Sequence, residues 1–122
     1  GRDKIQRFYG DEDNPIYPPN NGVVGYAKNV TLKAGSELVD RYGGDRGSFV
    51  SPKGTPFPGR ALPKNANKDN YHIYQVLKDI ADVEEGITAA WFEEPGGGVQ
   101  FKLPDKICNL KEYIKEVDPN DV

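Results

Sequence analysis

Apolar and polar positions alternate over several short stretches of this chain. Val30 and Leu32 alternate with Asn29 and Thr31, so residues 23–39 read as extended, with AGSE at 34–37 as a turn. YHIYQVLKDI at 71–80 is dense in aromatic and β-branched residues and predicts a strand. Alternation there puts Tyr71, Ile73 and Gln75 on one face and His72, Tyr74 and Val76 on the other. GITAAWF at 86–92 predicts another strand, EEPGGG at 93–98 a tight turn, and VQFKL at 99–103 a strand. In that last strand Val99, Phe101 and Leu103 lie on one side, Gln100 and Lys102 on the other. One stretch has a helical period: Leu110, Tyr113, Ile114 and Val117 fall at i, i+3, i+4 and i+7. Asn109 reads as its N-cap, Glu112 as the third helical residue and Pro119 as its stop. No helical crossover of 10–15 residues separates the strands, so the sheet should be mostly antiparallel. The expected fold is α+β: a compact antiparallel sheet with a C-terminal helix.

Two stretches lack a period. Residues 9–22, YGDEDNPIYPPNNG, are polar and carry three prolines, which predicts an irregular lead-in with turns. Residues 40–68 contain Gly43, Gly44, Gly47, Gly54 and Gly59, with prolines at 52, 56, 58 and 63. So long an irregular segment in a small domain is usually functional or disordered. Its embedded Phe49, Val50, Phe57, Ala61 and Leu62 predict an ordered loop pinned to the core.

At 122 residues the chain makes one domain, 1–122, with one modest core. Seven tyrosines, five phenylalanines and a tryptophan set it apart from disordered sequences. No apolar run reaches 18 residues, so no membrane-crossing helix is expected. A net charge of −3 argues against nucleic acid as a partner. Cys108 is the sole cysteine and His72 the sole histidine, which excludes an internal disulfide and a Cys/His zinc cluster; no metal is expected. There is no methionine, so Gly1 is expected to be a cut end and the chain a piece of a longer protein.

The familiar catalytic signatures are missing. No Gly-x-Ser-x-Gly or other triad motif flanks His72, and Cys108 reads as a small buried thiol. GGDRGS lacks the Gly-Lys-Ser/Thr ending of a phosphate loop, and PGGGVQF leads into a strand, not a helix. What remains is a density of glycine, arginine, lysine, glutamine and aromatics in DRYGG, RGSFVSPKGTPF, RAL and EEPGGGVQF. Glycines allow close backbone approach, guanidinium forks match phosphate oxygens, and aromatic faces wall a heterocycle. That mixture suits a phosphorylated, ring-bearing small molecule, and a surface of solvated arginines fits it nearly as well.

Several blocks, taken in order, resemble a known family. Asp40-Arg41-Tyr42-Gly43, then GSFVSPKGTP from Gly47 to Pro56, then Arg60-Ala61-Leu62-Pro63, then Tyr71-His72-Ile73-Tyr74, then Trp91-Phe92 and PGGGVQF from Pro95 to Phe101 look like the tuberculosis necrotizing toxin (TNT) domain family. The blocks span about residues 22–117. The resemblance implies an NAD glycohydrolase, with NAD as substrate, no cofactor, and a fold distantly related to ADP-ribosyltransferase toxins. It also implies the C-terminal part of a larger secreted protein acting in the cytosol of a target cell, with a cognate immunity protein as partner. The family's arginine falls on Arg41, its glutamine on Gln100, its aromatic after Gly-Ser on Phe49, and its histidine on His72. Ala89-Ala90-Trp91-Phe92-Glu93-Glu94-Pro95 departs from the family's Ala-Pro-Trp-Phe-x-Gln-Pro and puts fine specificity in question.

The resemblance then implies roles. Arg41 would hold pyrophosphate or ribose oxygens, and Gln100 would position the nicotinamide ribose and the attacking water. Phe49, with Trp91 or Phe92, would wall the nicotinamide ring. Ser51, Lys53 and Arg60 are further candidates for phosphate contact, and His72 for support of the loop. Three rival readings stand beside hydrolysis: transfer of ADP-ribose to a macromolecule, a non-enzymatic NAD-binding module, and cyclisation to cyclic ADP-ribose.

Overall fold

The computed structural model describes residues 17–35, 38–63 and 66–122; most of the predicted lead-in and half of the 34–37 turn lie outside the described residues. Seven strands form one sheet in the order β1-β5-β6-β3-β2-β4-β7, with every neighbouring pair antiparallel. They are β1 (Lys28–Leu32), β2 (Val39–Tyr42), β3 (Phe49–Pro52), β4 (Tyr71–Val76), β5 (Ile80–Ile87), β6 (Val99–Lys102) and β7 (Ile114–Val117). The core gathers Val39, Val50, Tyr74, Val76, Ile80, Val83, Leu103, Ile107, Leu110 and Ile114, with Val30, Leu32 and Phe101 packed against it.

The expected antiparallel sheet is present, but the expected C-terminal helix is not. Among the described residues the helical pieces are short 3₁₀ turns, including Ile107–Asn109, and Ile114–Val117 is strand β7. Ile73–Val76 of β4 presents an open edge, and β7 satisfies it by pairing Ile73 with Val117 and Val76 with Ile114. The i, i+3, i+4 spacing had another cause. Leu110 enters the core from the turn and Ile114 from the strand, so two different elements supply one apolar stripe. Asn109 caps nothing; its amide donates to Asp105 instead.

The supposedly irregular segment 40–68 holds two strands, β2 and β3, and a 3₁₀ turn at Phe57–Arg60. Each strand has only four residues, too few for alternation to register against the flanking glycines. The predicted strand at 71–80 stops at Val76, where Leu77 and Lys78 turn to bond the Tyr113 carbonyl. The next strand starts at Ile80, earlier than the predicted 86–92. It carries Asp82 with φ 58°, and its register against β1 shifts between Val30 and Leu32. That bulge lets Ile80 and Val83, three apart, both reach the core, which hides the period of two.

Candidate active site

β2 and β3 pair only at Val39–Pro52 and Asp40–Ser51. Past that point Arg41 and Tyr42 stay with β4, while Phe49 and Val50 stay with β6. The sheet therefore opens between the two strands, and a cleft of about 780 Å³ occupies the opening. That volume suits a ligand of cofactor size. Arg41, Phe49, Arg60 and Gln100 all line it, together with Tyr17, Tyr42, Arg46 and Thr88. A small adjoining recess adds Asp40 and Ser51.

Arg41 reaches across the opening. Its Nε donates to the Gly44 carbonyl at 2.8 Å and its Nη1 to the Phe49 carbonyl at 3.1 Å. Two of five N–H donors are so used, and no described residue engages Nη2. Burial lowers its pKa from the ordinary guanidinium value, opposed by the electrostatic influence of Tyr74 and Tyr17. A guanidinium stays protonated even so. The result is a partly desolvated cation with spare donors facing a cleft, a ready seat for an anion.

Gln100 stands on β6, opposite Gly86 of β5. Its Nε2 donates to the Asn21 carbonyl at 2.9 Å, which fixes the amide and leaves Oε1 as a free acceptor among the described residues. Asn21 is held in turn by the 3₁₀ turn Asn20–Gly22, which the Asn20 amide ties to the Val23 and Gly25 carbonyls.

Below the cleft lies a closed polar network. Asp40 is fully buried, and its Oδ1 meets Arg60 Nη1 at 2.7 Å, an ion-pair contact whose angle does not make a hydrogen bond. Asp40 Oδ2 accepts from Tyr71 at 2.5 Å and from the Gly54 N–H at 2.9 Å. Arg60 spends Nε and Nη2 on the Thr55 carbonyl and stacks over the Tyr42 ring. Tyr42 packs against Phe57 and Tyr71. Desolvation first, and the bond to Asp40 second, push the Tyr71 phenol well above its ordinary pKa. This network fixes the 53–60 loop to the sheet.

The other sequence candidates lie apart from the cleft lining. Lys53 is exposed on the turn after β3. His72 bonds Glu116 through Nδ1 at 2.8 Å and Asn70 through Nε2 at 2.7 Å, and only Asn70 belongs to the lining. Trp91 and buried Phe92 form a small cluster of their own, with Phe92 edge-on to the Tyr17 ring that lines the cleft. The Pro95–Gly98 run is a packing device. A Cβ at Gly96 would lie 2.6 Å from the Thr88 and Ala89 carbonyls, and one at Gly98 2.7 Å from Thr55. Sequence reasoning passed over Asp40 as a structural anchor, and over Asn21, Tyr42 and Thr88. Val39 and Asp40, neighbours on opposite faces of β2, are both buried, so alternation within Val39–Tyr42 gives no sign that Asp40 lies inward.

Comparison with known proteins agrees with this geometry. The family model described as tuberculosis necrotizing toxin matches residues 31–117. The conidial surface nicotinamide adenine dinucleotide glycohydrolase nadA of Aspergillus fumigatus is 37% identical over 87% of the chain. The chain spans about half of that relative, 51% of its length. Among solved structures, tuberculosis necrotizing toxin complexed with its immunity factor IFT matches with a TM-score of 0.67 at 25% identity, over 88% of this chain and 65% of that one. Rhs1-CT in complex with its cognate immunity protein RhsI1 shares the fold, with a TM-score of 0.58 at 23% identity and 84% of each chain covered. An opened antiparallel sheet with an arginine and a glutamine facing one cleft, and a family match running from β1 through β7, lead to one statement: this chain belongs to the tuberculosis necrotizing toxin family.

Proposed function

We propose that the chain hydrolyses NAD to nicotinamide and ADP-ribose in the cleft between β2 and β3. The observation that carries this reading is that Arg41 and Gln100, on strands separated by β3, line the same cavity. Family membership and the nadA relative's name support the same substrate.

The chemistry asks little of acids and bases. The bond from the anomeric carbon to the pyridinium nitrogen breaks with its electron pair going to nitrogen, so nicotinamide leaves neutral and needs no proton. The ribose passes through an oxocarbenium-like transition state. Water adds to the anomeric carbon and releases a proton, giving ADP-ribose. The protein's part is to hold and orient. Arg41 takes the pyrophosphate on its uncommitted Nη2, an arrangement made stronger by its partial burial. Gln100 Oε1, its amide fixed by Asn21, accepts from a ribose hydroxyl or the incoming water. Phe49, at the cleft surface, flanks the nicotinamide ring.

Because the Gln100 amide cannot take a proton from an acceptor nucleophile, water is favoured over transfer to a macromolecule. Both solved structures named above are complexes with immunity proteins, which supports a cognate immunity partner and a role as a secreted effector. The test is incubation of the purified chain with NAD, with chromatography of the products. Nicotinamide and ADP-ribose should appear in equal amounts. Arg41→Ala and Gln100→Ala should each lower kcat/KM by about 100-fold or more. Intact NAD, or full turnover in both variants, would reject the assignment.

A further inference from the structure

Arg41 lies in a seat whose walls are glycines. A Cβ built on Gly47 would collide with Arg41 Nη2 and Cζ and come within 2.6 Å of Nη1. One built on Gly43 would lie 2.7 Å from Nη2. Gly43 has φ 136°, which any side chain would strain, whereas Gly47 has no left-handed backbone. Backbone conformation therefore does not explain glycine at 47; the room taken by the guanidinium does.

The loop cannot readily back away from such a Cβ. Three backbone bonds tie it to the segment after β6: Leu103 N–H to the Ser48 carbonyl at 2.8 Å, Ile107 N–H to the Gly47 carbonyl at 3.0 Å, and Cys108 N–H to the Asp45 carbonyl at 2.8 Å. Leu103 and Ile107 are themselves core residues. The guanidinium is the far end of a flexible side chain, held by two hydrogen bonds, to the Gly44 carbonyl in the loop and the Phe49 carbonyl at the start of β3. When the two compete for one space, the side chain moves and the clamped backbone stays.

We propose that Gly47 is a positioning residue for Arg41, the empty Cβ position that lets the guanidinium lie against the loop with Nη2 available to substrate. The proposal deepens the NAD reading above and, for its effect on turnover, rests on it. A methyl group at 47 would turn Arg41 out of its seat while leaving the sheet intact. Misplacement by about 1 Å costs on the order of 100-fold in a site that works by orientation.

The test compares Gly47→Ala, Arg41→Ala and the double variant by NAD turnover, by thermal unfolding, and by the Arg41 Nε–H resonance in ¹⁵N–¹H spectra. In the unsubstituted chain that proton, bonded to Gly44, should exchange slowly. In Gly47→Ala the protected resonance should vanish, and kcat/KM should fall about 100-fold, to near the Arg41→Ala level, with little change in Tm. The double variant should be no less active than Arg41→Ala alone. A retained resonance with turnover within threefold of the unsubstituted chain would overturn the proposal. If Gly47→Ala fails to fold, the double variant decides: folding like Arg41→Ala indicts the guanidinium contact, and failure to fold places the need for glycine in the backbone and overturns it. If the unsubstituted chain leaves NAD intact, the NAD reading fails, and the Nε–H resonance still decides the fate of the seat.

Discussion

Arg41 and Arg60 line the same cleft, yet one is half-used and the other is spent. Arg60 places its nitrogens on Asp40 and the Thr55 carbonyl, with a side chain 6% exposed. Arg41 binds two carbonyls and keeps Nη2 free among the described residues. A polar group saturated from within the fold holds the fold together. One left partly unsatisfied at a cavity is disposed to bind something else. The residue type is identical, and only the partners separate anchor from ligand site.

Breaking the anchor should give the largest change in stability. Arg60→Ala strands a fully buried carboxylate and should cost about 3–5 kcal/mol in urea unfolding. Arg41→Ala should cost under about 1 kcal/mol, the net worth of ordinary hydrogen bonds, while abolishing most turnover. Equal destabilisation by the two variants would erase the distinction.

Tyr71 sharpens the anchor side. Tyr71→Phe removes one donor to Asp40 and should cost about 1.5–3 kcal/mol, the usual worth of a bond to a charged group. Its raised pKa also has a pH consequence. The folded state holds the phenolic proton more tightly than the unfolded chain does. Its contribution is therefore complete below the unfolded value of about 10 and is lost as pH rises beyond it. Between pH 10 and 11 urea midpoints should fall more in the unsubstituted chain than in Tyr71→Phe, with no such difference between pH 8 and 9.

The smallest effect belongs to Lys53, exposed and outside the cleft lining. Lys53→Ala should shift stability by under about 0.5 kcal/mol and leave NAD turnover within twofold. A tenfold loss would extend the site beyond the cleft wall and weaken the contrast between the two arginines.

Part of this was legible beforehand. The alternation at 28–32, 71–76 and 99–102 fell on true strands, where Val30 and Leu32, Tyr74 and Val76, and Phe101 turn toward the core. The bulge at Asp82 broke the period in β5, and the four-residue lengths of β2 and β3 left too little pattern to see. The helical spacing from Leu110 to Val117 misled because a turn followed by a strand brings Leu110 and Ile114 into the core, while Tyr113 stays exposed. In the site, the ordered blocks carried Arg41 and Gln100, whereas the Asp40–Arg60–Tyr71 network joins residues up to 31 positions apart and had no local signature.

By itself the sequence determined the antiparallel class and the family, since these follow from short-range period and ordered motifs. Tertiary structure alone decided which arginine anchors and which one keeps a donor spare at the cleft, and that the last segment is a strand. Those outcomes turn on which partner fills each hydrogen-bonding group and each sheet edge, and partners distant along the chain meet only when it folds.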